Sequence, residues 1–270
     1  MTILLYLLVP VAYIAAATLE WRRLARPSVA PPGARRVAAW LAAAALAGHA
    51  TLLVGTVYTG DGLDVSLANA LSVVAGLTAL IAWAGNHSRT LPLVAAVALP
   101  VAAIAVPLPA LFPNPHRFSL VDEPWAALHI SVALVAYALL VVAALQALLL
   151  MGLERRLHRA LPDPVAEALP PLLTLERFLF RLVGLGYALL TLTLVSGAFF
   201  SEELFGKPLQ FKHKIVFSLL SWLVFGGLLF GRHRYGWRGR AALKWIVAGT
   251  ALLLLAYAGS KFVLEVILGR

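Results

Sequence analysis

Long apolar runs dominate this sequence and leave few folds open to it. The hydrocarbon core of a bilayer is about 30 Å thick, so a helix needs about 20 mostly apolar residues to cross it. Eight runs of that kind occur, at residues 2–19, 37–57, 65–84, 91–112, 125–151, 178–200, 214–231 and 243–268. The predicted fold is therefore all-α: a polytopic membrane protein of about eight transmembrane helices, in which residues 1–270 form a single integral membrane domain.

The composition argues against a soluble protein. Hydrophobic residues make up 61% of the chain and charged residues 13%, whereas soluble domains are roughly 45–50% apolar and about 25% charged. The net charge of +10 lies mostly between the apolar runs, so it indicates orientation in a membrane, with no nucleic-acid partner expected. Cysteine is absent, which excludes disulfides and thiolate metal sites.

Prolines bear on the structure of two parts of the chain, the fourth run and the connector after the fifth run. Pro100, Pro107 and Pro109 interrupt the fourth run, and since proline removes a backbone donor, a kinked or broken helix is predicted there. The proline-rich connector after the fifth run is predicted to hold a short helix around residues 165–168.

Lysine and arginine between the runs predict how the chain crosses the membrane. Basic residues concentrate on the cytoplasmic side of inner-membrane proteins. The connections after the first, third, fifth and seventh runs are the arginine-rich ones, so both termini are predicted to be periplasmic. The basic residues assigned to cytoplasmic loops are Arg22, Arg23, Arg26, Arg35, Arg36, Arg89, Arg155, Arg156, Arg159, Arg177, Arg232, Arg234, Arg238, Arg240 and Lys244.

Histidines within the predicted bundle are the main candidates for a functional site, because polar groups inside a membrane are costly. His129 lies about one turn into the fifth run and His213 lies at the start of the seventh. The topology places both near the outer face, where two imidazoles can ligate one metal ion or both axial positions of a haem. The alternatives are a packed core role for His129, and hydrogen bonds from His213 to headgroups or water.

His49 lies near the middle of the second run and needs a polar partner there. A buried haem is one candidate, and a neighbouring hydroxyl or carbonyl is the other. The remaining histidines, which are His87, His116, His158 and His233, are expected to be solvated loop residues.

Lys261 and Glu265 lie one turn apart near the outer end of the eighth run. An opposite-charge pair at this spacing neutralises both charges, so a structural role is expected, with ion or substrate passage as the alternative. No other carboxylate falls inside the runs, which argues against a proton-driven transporter built on carboxylate relays. No phosphate-binding loop, His-Glu-x-x-His helix or Gly-x-Ser-x-Gly elbow is present, and the protein is not expected to be an enzyme.

Three motifs lie in the fifth, seventh and eighth runs and their flanks. They are Leu128-His129-Ile130-Ser131 with Tyr137-Ala138, Ser221-Trp222-Leu223-Val224-Phe225 with Gly236-Trp237-Arg238-Gly239, and Ala256-Tyr257-Ala258-Gly259. Together they resemble the cytochrome c assembly family, the membrane haem-handling proteins of the CcsA and CcmC type. The likeness covers most of the chain and is nearest to the YpjD-like branch.

The resemblance implies that His129 is an outer-side haem ligand and that His49 holds the position of a membrane-embedded ligand. Other family features are missing. The family's Trp-rich outer loop keeps only its glycine, its inner-end histidine falls on Phe230, and its last outer histidine has no counterpart. The positions that correspond to the Trp-rich loop are Phe205, Gly206, Leu209, Phe211 and Lys212.

The function predicted from the sequence is a haem-handling or cytochrome c biogenesis accessory protein of the bacterial inner membrane. His129, His49 and His213 are the predicted haem-binding residues, with His129 on the haem iron. Haem, the lipid bilayer and other inner-membrane proteins are the expected partners. The alternative is a non-haem accessory or scaffold subunit of a membrane transporter or other membrane complex, which the missing ligands favour. A small-solute transporter is a third and weaker alternative.

Overall fold

Helices form wherever the chain is continuously apolar, because a bilayer forces the backbone to satisfy its own hydrogen bonds. The computed structural model describes residues 2–58, 62–87, 90–113, 117–119, 124–157, 164–205 and 213–259. Within them, eight helical segments are long and apolar enough to cross a membrane, which confirms the predicted all-α membrane fold. The helices are α1 Thr2–Ala25, α2 Ala34–Val57, α3 Leu67–His87, α4 Pro92–Ala105, α5 Leu108–Leu111, α6 Pro124–Leu157, α7 Pro164–Glu167, α8 Leu172–Phe205, α9 His213–Tyr235 and α10 Gly239–Leu254, which continues into a π-helical turn at Leu255–Gly259.

The fourth span is broken, as the prolines predicted. Its main helix, α4, ends at Ala105, and the short helix α5 begins after Pro107. Pro107 has no N–H to donate to a carbonyl of the preceding turn, and a new helix starts after it. Pro100 is accommodated inside α4. The short helix α7 confirms the one predicted in the later connector.

Several helices run well past their apolar segments, and this corrects one sequence prediction. Arg155 and Arg156 lie in the last turn of α6, and Arg232 and Arg234 lie in the last turn of α9. These basic residues were predicted to lie in loops, which is wrong. The same correction applies to the predicted loop residues that lie within α1, α2, α8 and α10, which are Arg22, Arg23, Arg35, Arg36, Arg177, Arg240 and Lys244. α6 has 34 residues, so at 1.5 Å per residue it is about 50 Å long and extends beyond the hydrocarbon core.

Eight crossings are an even number, so α1 begins at the end of the bundle where the π-helical turn after α10 lies. We call this the outer end, following the predicted orientation. Which end faces the periplasm stays a prediction from the arginine distribution.

The spans pack in two groups that share α3 and α4. Tyr13, Leu52 and Leu99 belong to a core built by α1 to α4. A larger core centres on α6, α8, α9 and α10, with Leu140 and Phe225 fully buried in it. Ala82 of α3 and Val94 of α4 also belong to the larger core, so these two helices join the groups.

A small antiparallel sheet at the outer end was not predicted from the sequence. β1, Gly62–Asp64, pairs with β2, Arg117–Ser119. Asn69 Nδ2 donates to the carbonyl oxygens of Asp64 and Thr56, each at 3.2 Å. The sheet therefore ties the connection after α2 to the segment that precedes α6.

Replacing Gly186 with alanine should destabilise the packing of α6 against α8. A Cβ atom there would lie 2.8 Å from Leu140 Cγ, which is fully buried and cannot move aside. Overpacking of this kind costs about 1–3 kcal/mol, measurable as a lower unfolding temperature in detergent. Gly184→Ala is the matched control, because its Cβ would have nothing within 4 Å. Equal unfolding temperatures for the two variants would contradict this packing.

Candidate functional site

His129 is held near the outer end of α6 by a hydrogen bond to α8. Its Nδ1 atom lies 2.8 Å from Ser196 Oγ, and both side chains are partly buried. Neither residue belongs to a loop, so two packed helices fix the position of the imidazole.

Ser196 also determines which imidazole nitrogen stays open. Its hydroxyl donates to the Thr193 carbonyl oxygen at 3.2 Å. A hydroxyl has only one proton to donate, so both contacts are hydrogen bonds when His129 Nδ1–H donates to Ser196. The Nε2 atom then keeps its lone pair, and within the described part of the chain nothing hydrogen-bonds to it. This is the arrangement of a metal-ligating histidine, whose second nitrogen is oriented by a neighbour.

Gly197 leaves room for the imidazole. A Cβ atom at this position would lie 3.2 Å from His129 Cε1 and 3.8 Å from Nε2. Two successive residues of α8 therefore position the His129 ring. Ser196 hydrogen-bonds to Nδ1, and Gly197 leaves room beside the Cε1–Nε2 edge. Sequence reasoning missed both of them. The only available signal was a hydroxyl beside a glycine near the outer end of a span.

Two tyrosines and a lysine lie at the same end of the bundle. The Tyr137 and Tyr257 rings meet edge to face, with centroids 5.9 Å apart. The Lys214 ammonium lies 5.5 Å from the centroid of the Tyr257 ring. The motifs in the fifth and eighth runs therefore meet in space.

Trp222 of α9 contacts α8. Its ring stacks on Tyr187 with centroids 5.8 Å apart. Its Nε1 donates to Thr191 Oγ1 at 2.9 Å. One helix thus supplies hydroxyl partners to side chains from two of its neighbours, α6 and α9.

His49 occupies a different environment, among α1, α2 and α3. Its Nδ1 atom lies 3.2 Å from the Tyr13 hydroxyl, and its Nε2 atom lies 2.9 Å from Ser72 Oγ. The residue is 2% exposed. A Cβ atom on Gly76 would lie 3.1 Å from the ring. Both nitrogens are therefore engaged, and the space around the ring is filled.

The chain matches the family described as Cytochrome C assembly protein over residues 37–268. It belongs to the cytochrome c assembly family.

Relatives in the family extend along most of the chain. The Inner membrane protein YpjD of Escherichia coli (strain K12) is 36% identical over 241 residues, covering 87% of this chain and 89% of the relative. An uncharacterized 28.8 kDa protein of Azospirillum brasilense is 34% identical, covering 81% and 80%. The Cytochrome c biogenesis protein CcsA of Thermosynechococcus vestitus is 27% identical, covering 68% and 70%. No solved structure matches the chain.

These relatives confirm two sequence predictions. The chain is a member of the family that its motifs resembled, and YpjD-like and CcsA proteins are both among its relatives. The multi-pass inner-membrane location is confirmed by the eight spans together with the inner-membrane relative.

The haem that the family implies fits one of the three predicted histidines by geometry. His129 offers an open Nε2 atom with its ring already oriented. His49 does not fit as it stands, because a hydroxyl group lies at each of its nitrogens. The predicted ligand role of His49 stays a prediction that would require both contacts to break.

The remaining candidates divide between described and undescribed residues. His213 begins α9, so its backbone lies at the outer end, but its side chain is outside the described part. His87 and His233 are exposed, as expected for solvated histidines, but they lie in the last turns of α3 and α9, so the prediction that they belong to loops is wrong. The residues singled out in the sequence that lie outside the described ranges are His116, His158, Gly206, Leu209, Phe211, Lys212, Lys261 and Glu265.

Ser72→Ala should destabilise the protein by leaving His49 Nε2 buried without a partner. An unsatisfied buried group costs about 1–3 kcal/mol, and the loss would appear as a lower unfolding temperature in detergent. Thr51→Val is the control, because that hydroxyl is exposed and bonds only to its own helix at Ala47. An unchanged unfolding temperature for Ser72→Ala would show that the bond to His49 contributes little.

Proposed function

We propose that this protein is an inner-membrane haem-handling accessory protein of cytochrome c biogenesis that binds haem iron through His129 Nε2. The observation that carries the proposal is the pairing of an anchored Nδ1 with an open Nε2 at the outer end of the bundle. Membership of the cytochrome c assembly family supports the biogenesis role. Haem and other inner-membrane proteins are the proposed partners.

The protein's contribution is binding and positioning, with no bond-making step assigned to its residues. Haem supplies the redox-active iron when it is bound. Ser196 holds the His129 ring in one orientation and one tautomer, while Gly197 keeps the ring's edge clear. The Tyr137–Tyr257 pair offers aromatic surface at the same end. His213 remains the proposed second axial ligand.

A non-haem scaffold is the second candidate function, and two observations favour it. Both nitrogens of His49 are engaged. Phe230 stands where the resemblance expects an inner-end histidine, and it is 62% exposed, with its ring against Tyr235. A chain without those ligands would instead present its helices to another membrane protein.

Titration of the purified protein with haem in detergent tests the proposal. A Soret band that shifts on reduction is expected, and His129→Ala should abolish it because the iron loses its ligand. Ser196→Ala should keep the band but weaken haem binding about 10- to 100-fold, the usual effect of losing the partner that orients a ligand.

His87→Ala is the matched control, since His87 is exposed and its Nδ1 lies near a carbonyl of its own helix. Its spectrum should equal that of the unmodified protein. A titration in which the spectrum stays that of free haem in detergent would contradict the haem role. A stoichiometric membrane partner, co-purified without haem, would support the scaffold role instead.

A further inference from the structure

We propose that Lys214 is the specificity residue for the propionate carboxylates of haem at the outer end of the bundle. This inference rests on the proposed haem-binding function and deepens it. His129 would hold the iron at the centre of the porphyrin, and Lys214 would hold the charged edge of the same molecule.

The position of Lys214 is the first part of the argument. It is the second residue of α9 and is exposed at the outer end. Its ammonium rests over the Tyr257 ring at 5.5 Å. A cation is attracted to an aromatic face, so the contact favours one placement of a flexible side chain. Tyr257 in turn meets Tyr137 of α6, the helix that carries His129.

The positive groups at the outer end of the bundle are the second part of the argument. Of the side chains that the structure describes at the outer end, Lys214 is the only lysine or arginine. The positive end of the α9 dipole lies at the same place, because the helix starts one residue earlier. A helix N-terminus and a cation together favour a negatively charged group.

The chemistry of haem supplies the third part. Its porphyrin is apolar except for two propionates, which are carboxylates at neutral pH. Moving carboxylates toward a bilayer is costly unless a cation or donor meets them. With His129 Nε2 holding the iron as proposed, a cation that binds the propionates would also orient the porphyrin.

Comparison of haem with its dimethyl ester tests this role directly. The ester keeps the iron and porphyrin but has no carboxylates. The unmodified protein should bind haem about tenfold or more tightly than the ester, which is the usual contribution of a charge-assisted hydrogen bond. Lys214→Met should reduce this preference to about threefold or less, with an unchanged Soret maximum because His129 still ligates the iron.

Two matched variants complete the experiment. Lys214→Arg keeps the charge and should keep the preference for haem. Lys244→Met removes one lysine from the opposite end, in α10, and should also keep it. A Lys214→Met protein that retains the full preference for haem would overturn the inference while leaving the proposed function intact. An unmodified protein that binds neither compound would instead refute the proposed function, and the inference with it.

Discussion

A polar side chain inside a bilayer finds no water, so its partner has to come from its own helix or from a neighbouring one. Most of the structure's specific contacts follow from that constraint. Ser221 donates to the Gly249 carbonyl at 2.8 Å and joins α9 to α10. Thr250 donates to the Leu140 carbonyl at 3.2 Å and joins α10 to α6. Each such bond contributes only about 0.6 kcal/mol on average, but it fixes which faces of the helices meet.

The two buried or half-buried histidines show opposite solutions to the same constraint. His49 satisfies both nitrogens with hydroxyls from two other helices, and its site closes around it. His129 satisfies one nitrogen, and among the described residues nothing hydrogen-bonds to the other, at the outer end. A closed imidazole stabilises a three-helix contact, whereas an imidazole with one open nitrogen can bind something else. The two residues are both histidines, so burial and the number of hydrogen-bond partners are what distinguish the closed site from the open one.

The helix ends follow different physics, because water and headgroups are available there. Arg232 pairs with Glu176 at 2.8 Å and also donates to the Trp237 carbonyl at 2.9 Å. Arg240 pairs more loosely with Glu154, at 3.7 Å. These contacts lie at the end opposite His129. These arginines therefore fasten the long helices together at this end of the bundle.

The sequence by itself determined the number of spans, the proline break in the fourth span and the family. Those properties depend on local hydrophobicity, on proline chemistry and on short motifs, all of which can be read along the chain. It did not determine that α6 and α9 extend as helices through Arg155 and Arg232, because hydrophobicity ends before the helix does. Only the tertiary structure decided that Ser196 orients His129 and that Ser72 and Tyr13 close around His49. Those partners lie on other helices, and the face each helix presents is fixed by packing between distant parts of the chain.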